Sequence, residues 1–198
     1  MIMRPILILD IDGVIRAPLS KRVIKWGGEH LNPLVFAGLL KRYAQNSLNA
    51  DDCEQLRPFF ESSLYVELPL ADGAPEAISI LKEFADIRIC SSGSISRKSD
   101  DMCMESLRAQ VDNGLFGRDE CIFLPPGSSK LGTYRMYKNS GRRVVVVDDT
   151  PEHGFEAVEA GCEFVGVGSD LGKMPAASKK FARLIDYALH VRDERGAL

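Results

Sequence analysis

The sequence predicts an α/β fold: a doubly wound, Rossmann-like parallel sheet flanked by helices, with a small helical cap inserted after the first strand. Short, nearly continuous apolar runs recur along the chain, as expected of parallel strands that are buried on both faces. Segments with helical periodicity separate these runs, and this alternation is typical of a doubly wound sheet. Residues 14–68 break the alternation, and this stretch is too long for a simple connection.

The apolar runs give five predicted strands. Each is too short for a typical helix and too continuous for a half-exposed strand. They are residues 6–9, 87–90, 121–124, 144–147 and 164–167, of which 121–124 is the weakest candidate.

Helical periodicity fills the intervals between the strands. In APEAISILKEFA the apolar side chains lie on one face, SDDMCMESLRAQV opens with N-cap candidates, and PEHGFEAVEAG ends at a glycine suited to a helix C-terminus. The charged tail HVRDERGAL is predicted to fray.

Residues 14–68 are predicted to form the helical cap, and residues 1–13 and 69–198 the core domain that contains the sheet. The cap contains two candidate helices, NPLVFAGLLKRYAQNS and NADDCEQLRPFFESSL. The first is favoured by Asn32 before Pro33, because proline is common in the first turn of a helix.

The composition excludes several classes of protein. The 198 residues are 45% hydrophobic and 27% charged, which is typical of a globular domain. The net charge of -3 provides no basic surface for tight nucleic-acid binding. No apolar run approaches the roughly 18 residues that cross a bilayer, and the first residues lack the features of a signal peptide, so we expect a cytoplasmic protein without a membrane partner. The five cysteines show no zinc-binding or redox spacing.

Polar residues suited to chemistry follow three of the predicted strands. Ligands of open α/β sheets gather at the carboxyl ends of the strands, so these residues are expected to share one site. They are Asp10 and Asp12 after the first strand, Ser91 and Ser92 after the second, Asp148 and Asp149 after the four valines, and Lys130 in the segment before those valines.

These residue types fit phosphoryl transfer. Of Asp10 and Asp12, one carboxylate can attack while the other moves protons. Asp149 adds a third carboxylate, giving a hard-oxygen site suited to Mg²⁺, whose charge would offset the repulsion between the acids. Lys130 offers a point charge for phosphate, and Ser91 offers a hydroxyl donor.

The motifs and their order resemble those of the haloacid dehalogenase-like hydrolases. LDIDGV resembles the first motif of that family, IRICSSG the second, Lys130 the third and VVVVDDT the fourth. The match in order and strand context extends from Leu7 to about Gly168, where GVGS resembles the segment beyond the fourth motif.

The resemblance implies a phosphoric monoester hydrolase. Asp10 would be the nucleophile that forms an aspartyl-phosphate, and Asp12 would protonate the leaving oxygen and then activate water. Ser91 and Lys130 would hold the phosphoryl oxygens. Within the family, Asp12 favours a phosphatase or phosphomutase, because the P-type ATPases generally carry threonine there and the dehalogenases lack the second aspartate. Hydrolysis is the commoner of the two activities.

The resemblance also implies Mg²⁺ as cofactor. Asp10, the main-chain carbonyl of Asp12 and Asp149 would hold the metal, and Asp148 would support its water shell. His153 departs from the family pattern, which often has an acidic residue four positions beyond the fourth-motif aspartate. Glu152, one position earlier, is a candidate substitute.

The predicted function is therefore that of a Mg²⁺-dependent phosphatase acting on a small metabolite such as a nucleotide or sugar phosphate. A catalytically silent binding protein, a phosphomutase and a nucleic-acid end phosphatase remain alternatives. A phosphorylation-receiver module does not fit, because its lysine follows its aspartates whereas Lys130 precedes Asp148 and Asp149.

Several points stay open at the level of single residues. Either Ser91 or Ser92 carries the second motif, and Lys98 or Lys138 competes with Lys130 for the phosphate. The substrate, the cap geometry and the oligomeric state are also open. Four basic residues early in the cap are candidates for contact with an anionic substrate, although they could equally be solvated: Arg16, Lys21, Arg22 and Lys25.

Overall fold

The structure, a computed structural model, describes residues 3–16, 20–44, 48–111, 118–168, 171–176 and 178–194. Within these ranges six strands form a single sheet in the order β3-β2-β1-β4-β5-β6, and every pair is parallel. The predicted doubly wound parallel sheet is thus confirmed. Its strands are β1 (Ile6–Leu9), β2 (Asp86–Ser91), β3 (Cys121–Phe123), β4 (Val144–Asp148), β5 (Glu163–Val167) and β6 (Lys179–Phe181).

The strand order reverses beside β1. The chain runs from β1 outward through β2 to β3, and then returns to place β4 on the other side of β1. In register, Leu9 at the end of β1 lies opposite Ile89 on one side and Val147 on the other. The carboxyl ends of the three central strands therefore meet at the reversal point, where open α/β sheets bind their ligands.

Helices cover both faces of the sheet. Between β1 and β2 the described chain forms α1 (Ser20–His30), α2 (Pro33–Ala44), α3 (Ala50–Phe60), α4 (Ser63–Val66) and α5 (Ala74–Phe84). The later helices are α6 (Arg97–Gln110), α7 (Leu131–Lys138), α8 (Pro151–Glu159) and α9 (Leu184–Asp193).

Part of the tail that the sequence predicts to fray is helical, and residues 195–198 of that tail lie outside the described residues. Residues 190–193 belong to α9, which packs against α5 and buries Leu184, Tyr187 and Val191. Burial of this apolar face outweighs the local charge of HVRDERGAL, so the helix extends further than the tail's charge suggests.

The helices α1 to α4 contribute described side chains to the core of the sheet. Trp26, Phe59 and Tyr65 belong to the cluster that covers one face of the sheet around Leu7 and Leu9. The division into a core of residues 1–13 and 69–198 and a cap of residues 14–68 stays a prediction, and we propose it as the functional organisation.

The opposite face of the sheet buries a second cluster, in which Ile8 and Val146 pack against Tyr134 and Phe164. All five cysteines are free thiols. Among the described helices, none combines the length and the apolar character needed to cross a membrane.

Candidate active site

Asp10 lies immediately after β1 and is buried. Its main-chain N–H donates to the carbonyl of Val147 on β4, 3.0 Å away, so the neighbouring strand fixes its position. The chain then turns at Gly13, whose φ is +87°. A Cβ built at Gly13 would lie 1.9 Å from Oδ2 of Asp149, so only glycine allows this turn to pass so close to that carboxylate.

Lys130 lies just before α7 and is fully buried between two aspartates. Its Nζ is 3.0 Å from Oδ1 of Asp10 and donates to Oδ2 of Asp148 at 2.8 Å. Burial acts to lower the pKa of Lys130, but Asp10 and Asp148 outweigh it and raise the pKa well above its ordinary value. The lysine therefore stays charged.

The two competing lysines lie elsewhere. Nζ of Lys98 is 3.4 Å from Oε2 of Glu61, and Lys138 is exposed at the far end of α7, beside Gly161. Lys130 is thus the lysine that the structure brings to the aspartates.

Asp10, Asp148 and Asp149 form a cluster of carboxylates. One oxygen from each lies within 4.8 Å of the others. Thr150 donates hydrogen bonds to both Asp148 and Asp149. Its main-chain N–H donates to Oδ1 of Asp148 at 2.9 Å, and its hydroxyl donates to Oδ1 of Asp149 at 3.3 Å. An all-oxygen donor set of this kind suits Mg²⁺.

The charge in this cluster is incompletely compensated. Burial raises the pKa of Asp10 despite the neighbouring Lys130. Burial, followed by the charges of Asp10 and Asp148, raises the pKa of Asp149 to about 8. The pKa of Asp148 falls below its ordinary value, because Lys130 and His153 outweigh the effect of its burial. One lysine does not neutralise three carboxylates, so the residues present fit a divalent cation.

Asp12 is half-buried, and its Oδ1 atom is buried without a hydrogen-bond partner in the described part of the chain. Burial raises the pKa of Asp12 to about 6, Arg16 opposes this rise, and Asp10 adds to it. A carboxyl group with such a pKa can both give and take a proton near neutral pH.

Both candidate serines lie at the same edge of the sheet. Ser91 is the last residue of β2, the neighbour of β1, and is buried. Oγ of Ser92 lies 3.5 Å from Nε2 of His153. The structure therefore brings both serines to the predicted edge, and we retain Ser91 as the proposed phosphate-binding residue.

His153 is a contact that sequence reasoning missed. It is buried, and its Nδ1 lies 3.3 Å from Oδ1 of Asp148, whereas Glu152 is exposed. The available signal was the departure from the family pattern at this position. Of the basic cap residues, Arg16 is fully buried and Lys25 is exposed, while the side chains of Lys21 and Arg22 lie outside the described residues.

No protein-family model matches the sequence, and no curated protein matches it. Solved structures match its fold. The chain is similar to a D,D-heptose 1,7-bisphosphate phosphatase from B. bronchiseptica complexed with magnesium and phosphate, at 15% identity and a TM-score of 0.62, covering 96% of this chain and 99% of that one.

Two further structures have the same overall fold. One is a haloacid dehalogenase-like family hydrolase from Streptococcus pneumoniae, at 12% identity and a TM-score of 0.65, covering 94% of this chain and 98% of that one. The other is a dehalogenase with an intermediate complex, at 15% identity and a TM-score of 0.64, covering 94% of this chain and 96% of that one. The chain therefore has the fold of the haloacid dehalogenase-like hydrolases, as its motifs predict.

Proposed function

We propose that this protein is a Mg²⁺-dependent phosphatase that hydrolyses a phosphomonoester through an aspartyl-phosphate on Asp10. The observation that carries the proposal is the placement of Lys130, 3.0 Å from Asp10 and 2.8 Å from Asp148, within a cluster whose carboxylate oxygens lie within 4.8 Å of one another. Phosphoryl transfer needs a nucleophile, a fixed positive charge beside it and further acidic residues. Asp10, Lys130 and the pair Asp148 and Asp149 would provide these groups.

The proposed reaction has two steps. A carboxylate oxygen of Asp10 attacks phosphorus, the ester oxygen leaves, and Asp12 gives that oxygen a proton. Asp12 then takes a proton from the water that attacks the aspartyl-phosphate, which releases phosphate and restores Asp10. The unpaired Oδ1 of Asp12 supports this role, because no described group competes for its proton.

Lys130 and Ser91 are proposed to hold the phosphoryl oxygens, since both are buried at the edge where β1 and β2 end. Asp10, the main-chain carbonyl of Asp12 and Asp149 would hold Mg²⁺, and Asp148 would support its water shell. When bound, the metal would neutralise charge on the phosphate and on the carboxylates.

The second aspartate favours a phosphatase over a dehalogenase, although both kinds of protein share this fold. A halide leaves as a stable anion, whereas an alkoxide needs a proton to leave. We propose that Asp12 provides that proton, and an ester substrate would explain the presence of a second aspartate. The phosphatase among the structural neighbours supports a small phosphorylated substrate.

Phosphate release from p-nitrophenyl phosphate, with Mg²⁺ and with EDTA, tests the proposal. We expect the wild type to be active only with Mg²⁺, and Asp10→Asn to lose kcat by at least about a thousandfold, as expected for a covalent nucleophile. Asp51→Asn is the matched control, because Asp51 is exposed on α3. Activity that survives EDTA, or full activity of Asp10→Asn, would contradict the mechanism. Inactivity on a broad panel of phosphate esters would favour a silent binding protein.

A further inference from the structure

Arg16 carries a buried guanidinium that the proposed reaction does not use. The residue ends the turn that follows Asp12: its N–H donates to the carbonyl of Ile11 at 2.8 Å, and its carbonyl accepts from the N–H of Gly13 at 3.0 Å. An isolated bridge pairs it with Leu70. Its side chain is 0% exposed, so the turn delivers a full positive charge into the protein interior.

Two side chains contact part of the Arg16 guanidinium. Nη2 donates to Sγ of Cys103 on α6 at 2.8 Å, and Cζ lies 4.7 Å from the ring centroid of Tyr65 on α4. These contacts join Arg16 to one helix of the proposed cap and to one helix of the proposed core.

Two nitrogen atoms of the Arg16 guanidinium lack a hydrogen-bond partner within the part of the chain that the structure describes. Nε and Nη1 are buried, and neither makes a hydrogen bond with any described residue. Unpaired donors on a buried charged group are costly, and native proteins rarely leave them without a partner. Such donors in a fully buried arginine therefore indicate a ligand that completes the site.

The position of Arg16 indicates which part of a ligand it would meet. An isolated bridge pairs Asp12 with Arg16, so the two residues lie beside each other across the turn. In the proposed reaction Asp12 protonates the leaving oxygen, so a group beside Asp12 faces the leaving part of the substrate rather than the phosphoryl group that Lys130 would hold.

We propose that Arg16 is a specificity residue that binds a second anionic oxygen group, a carboxylate or a second phosphate, on the leaving group of the substrate. The inference rests on the proposed function and narrows its substrate to phosphomonoesters that carry a second anionic group on the leaving part. Arginine suits this role because it stays charged when buried and presents several donors to oxygen anions.

A purely structural role for Arg16 makes a different prediction about stability. Burying a charge whose donors are incompletely paired is costly, and an apolar side chain of similar size avoids that cost. We therefore expect Arg16→Met to retain the melting temperature of the wild type. If Arg16 only connected α4 to α6, the substitution would instead lower the melting temperature and reduce activity on every substrate to the same extent.

The kinetic test uses three aryl phosphates that differ in the charge of the leaving group: phenyl phosphate, 3-carboxyphenyl phosphate and 1,3-phenylene bisphosphate. The wild type is expected to show a lower KM for at least one of the two anionic probes than for phenyl phosphate. Arg16→Met is expected to raise the KM for that probe by about tenfold to a hundredfold relative to the KM for phenyl phosphate, typical of a lost hydrogen bond to a charged group. A change in kcat caused by the loss of positive charge near Asp12 is expected to be similar for all three probes.

Two further variants control this test. Arg16→Lys keeps the positive charge with different donors and is expected to retain part of the preference for the anionic probe. If Arg16→Met does not fold, the same KM comparison is made with Arg16→Lys. Arg135→Met removes an exposed arginine of α7 and is expected to change nothing. Equal losses on all three probes in the Arg16 variants, or a wild type that does not prefer either anionic probe, would overturn the proposal.

A binding measurement separates this proposal from the proposed function. Calorimetry with 3-hydroxybenzoate, 3-hydroxyphenylphosphonate and phenol measures recognition of the leaving group without any turnover, because none of the three compounds carries a phosphate ester. Tighter binding of one anionic compound than of phenol, lost in Arg16→Met, would support the anion site even if no ester were hydrolysed. Equal binding of both proteins to all three compounds, or no binding at all, would overturn the anion site.

Discussion

At the scale of single residues, the charge balance around Lys130 governs the site. The lysine contacts Asp10 at 3.0 Å and Asp148 at 2.8 Å, and Asp149 lies in the same carboxylate cluster. The pKa of Asp149 rises to about 8, first through burial and then through its acidic neighbours. A bound cation would lower the pKa of Asp149 again, so the repulsion among the carboxylates favours metal binding.

Removal of the lysine is expected to destabilise the fold. Lys130→Met leaves Asp10 and Asp148 buried without their shared partner, and breaking a buried pair in this way costs about 3 to 5 kcal/mol. Urea unfolding in EDTA at neutral pH measures the change, and Lys138→Met, at an exposed position, is the control. Unchanged stability of Lys130→Met would show that Lys130 does not compensate the two carboxylates.

The acid-base role of Asp12 predicts a dependence on the leaving group. Asp12→Asn is expected to lower kcat/KM by about a hundredfold to ten-thousandfold for an alkyl phosphate, the usual range for general acid-base catalysis. The loss should be smaller for p-nitrophenyl phosphate, because nitrophenolate leaves without a proton. Steady-state kinetics on the two esters provides the comparison, and equal losses on both would argue against proton donation by Asp12.

Strand-end positions explain why these aspartates could be predicted from the sequence. Asp10 follows a continuous apolar run, as do Asp148 and Asp149, so the sheet itself brings them together. The contact of His153 with Asp148 could not be predicted in the same way, because it depends on the orientation of α8 against β4. The unpaired donors of Arg16 likewise appear only once α4 and α6 are packed around the turn.

At the scale of elements, one ion pair connects α2 to α3. Arg42 binds both carboxylate oxygens of Asp52, at 2.7 Å and 2.6 Å, and Asp52 also accepts from the N–H of Asn49, which caps α3. The hydrogen bonds from Arg42 lower the pKa of Asp52 below its ordinary value of 3.8, even though its burial opposes the change.

This lowered pKa predicts a pH-dependent contribution to stability. A depressed folded-state pKa stabilises the fold above pH 3.8, and the contribution is lost as the pH falls through the folded-state value. Asp52→Asn is therefore expected to be less stable than the wild type at pH 7, with a difference that shrinks on acidification below about pH 4. Denaturant unfolding between pH 3 and 7 tests this, and a difference that stays constant with pH would contradict it.

The elements that sequence patterns predict least well are those stabilised by distant partners. The strand β6 reads KKF, with two exposed lysines, so it lacks the continuous apolar run that marks the central strands. Pairing with β5 nevertheless orders it. The helix α9 has a charged end but packs an apolar face on α5, a contact between segments about a hundred residues apart in the sequence.

At the scale of the whole molecule, the reversal of strand order beside β1 places all the proposed catalytic groups at one edge of the sheet. The helices α1 to α4 share the hydrophobic cluster of the same sheet, and through Tyr65 on α4 they also reach Arg16. Within the proposed cap, α4 therefore contacts the turn that follows Asp12, where we propose that the leaving group of the substrate lies.

Metal binding should stabilise the entire fold. A ligand present at a hundred times its Kd adds about 2.7 kcal/mol to the stability of a protein that binds it only when folded. Mg²⁺ is expected to raise the melting temperature of the wild type, and Asp149→Asn should abolish the rise without unfolding the protein. Thermal scans with and without Mg²⁺ test this, with Asp72→Asn, an exposed residue, as control. An undiminished Mg²⁺ effect in Asp149→Asn would remove Asp149 from the metal site.

The proposed mechanism depends on an aspartyl-phosphate at Asp10, and chemical trapping detects this intermediate. Rapid mixing with p-nitrophenyl phosphate and Mg²⁺, followed by borohydride reduction, converts an aspartyl-phosphate into homoserine, which mass spectrometry locates in the sequence. We expect homoserine at position 10 in the wild type and none in Asp10→Asn. Turnover of the ester with an unmodified Asp10, or homoserine at another aspartate, would contradict the proposed mechanism.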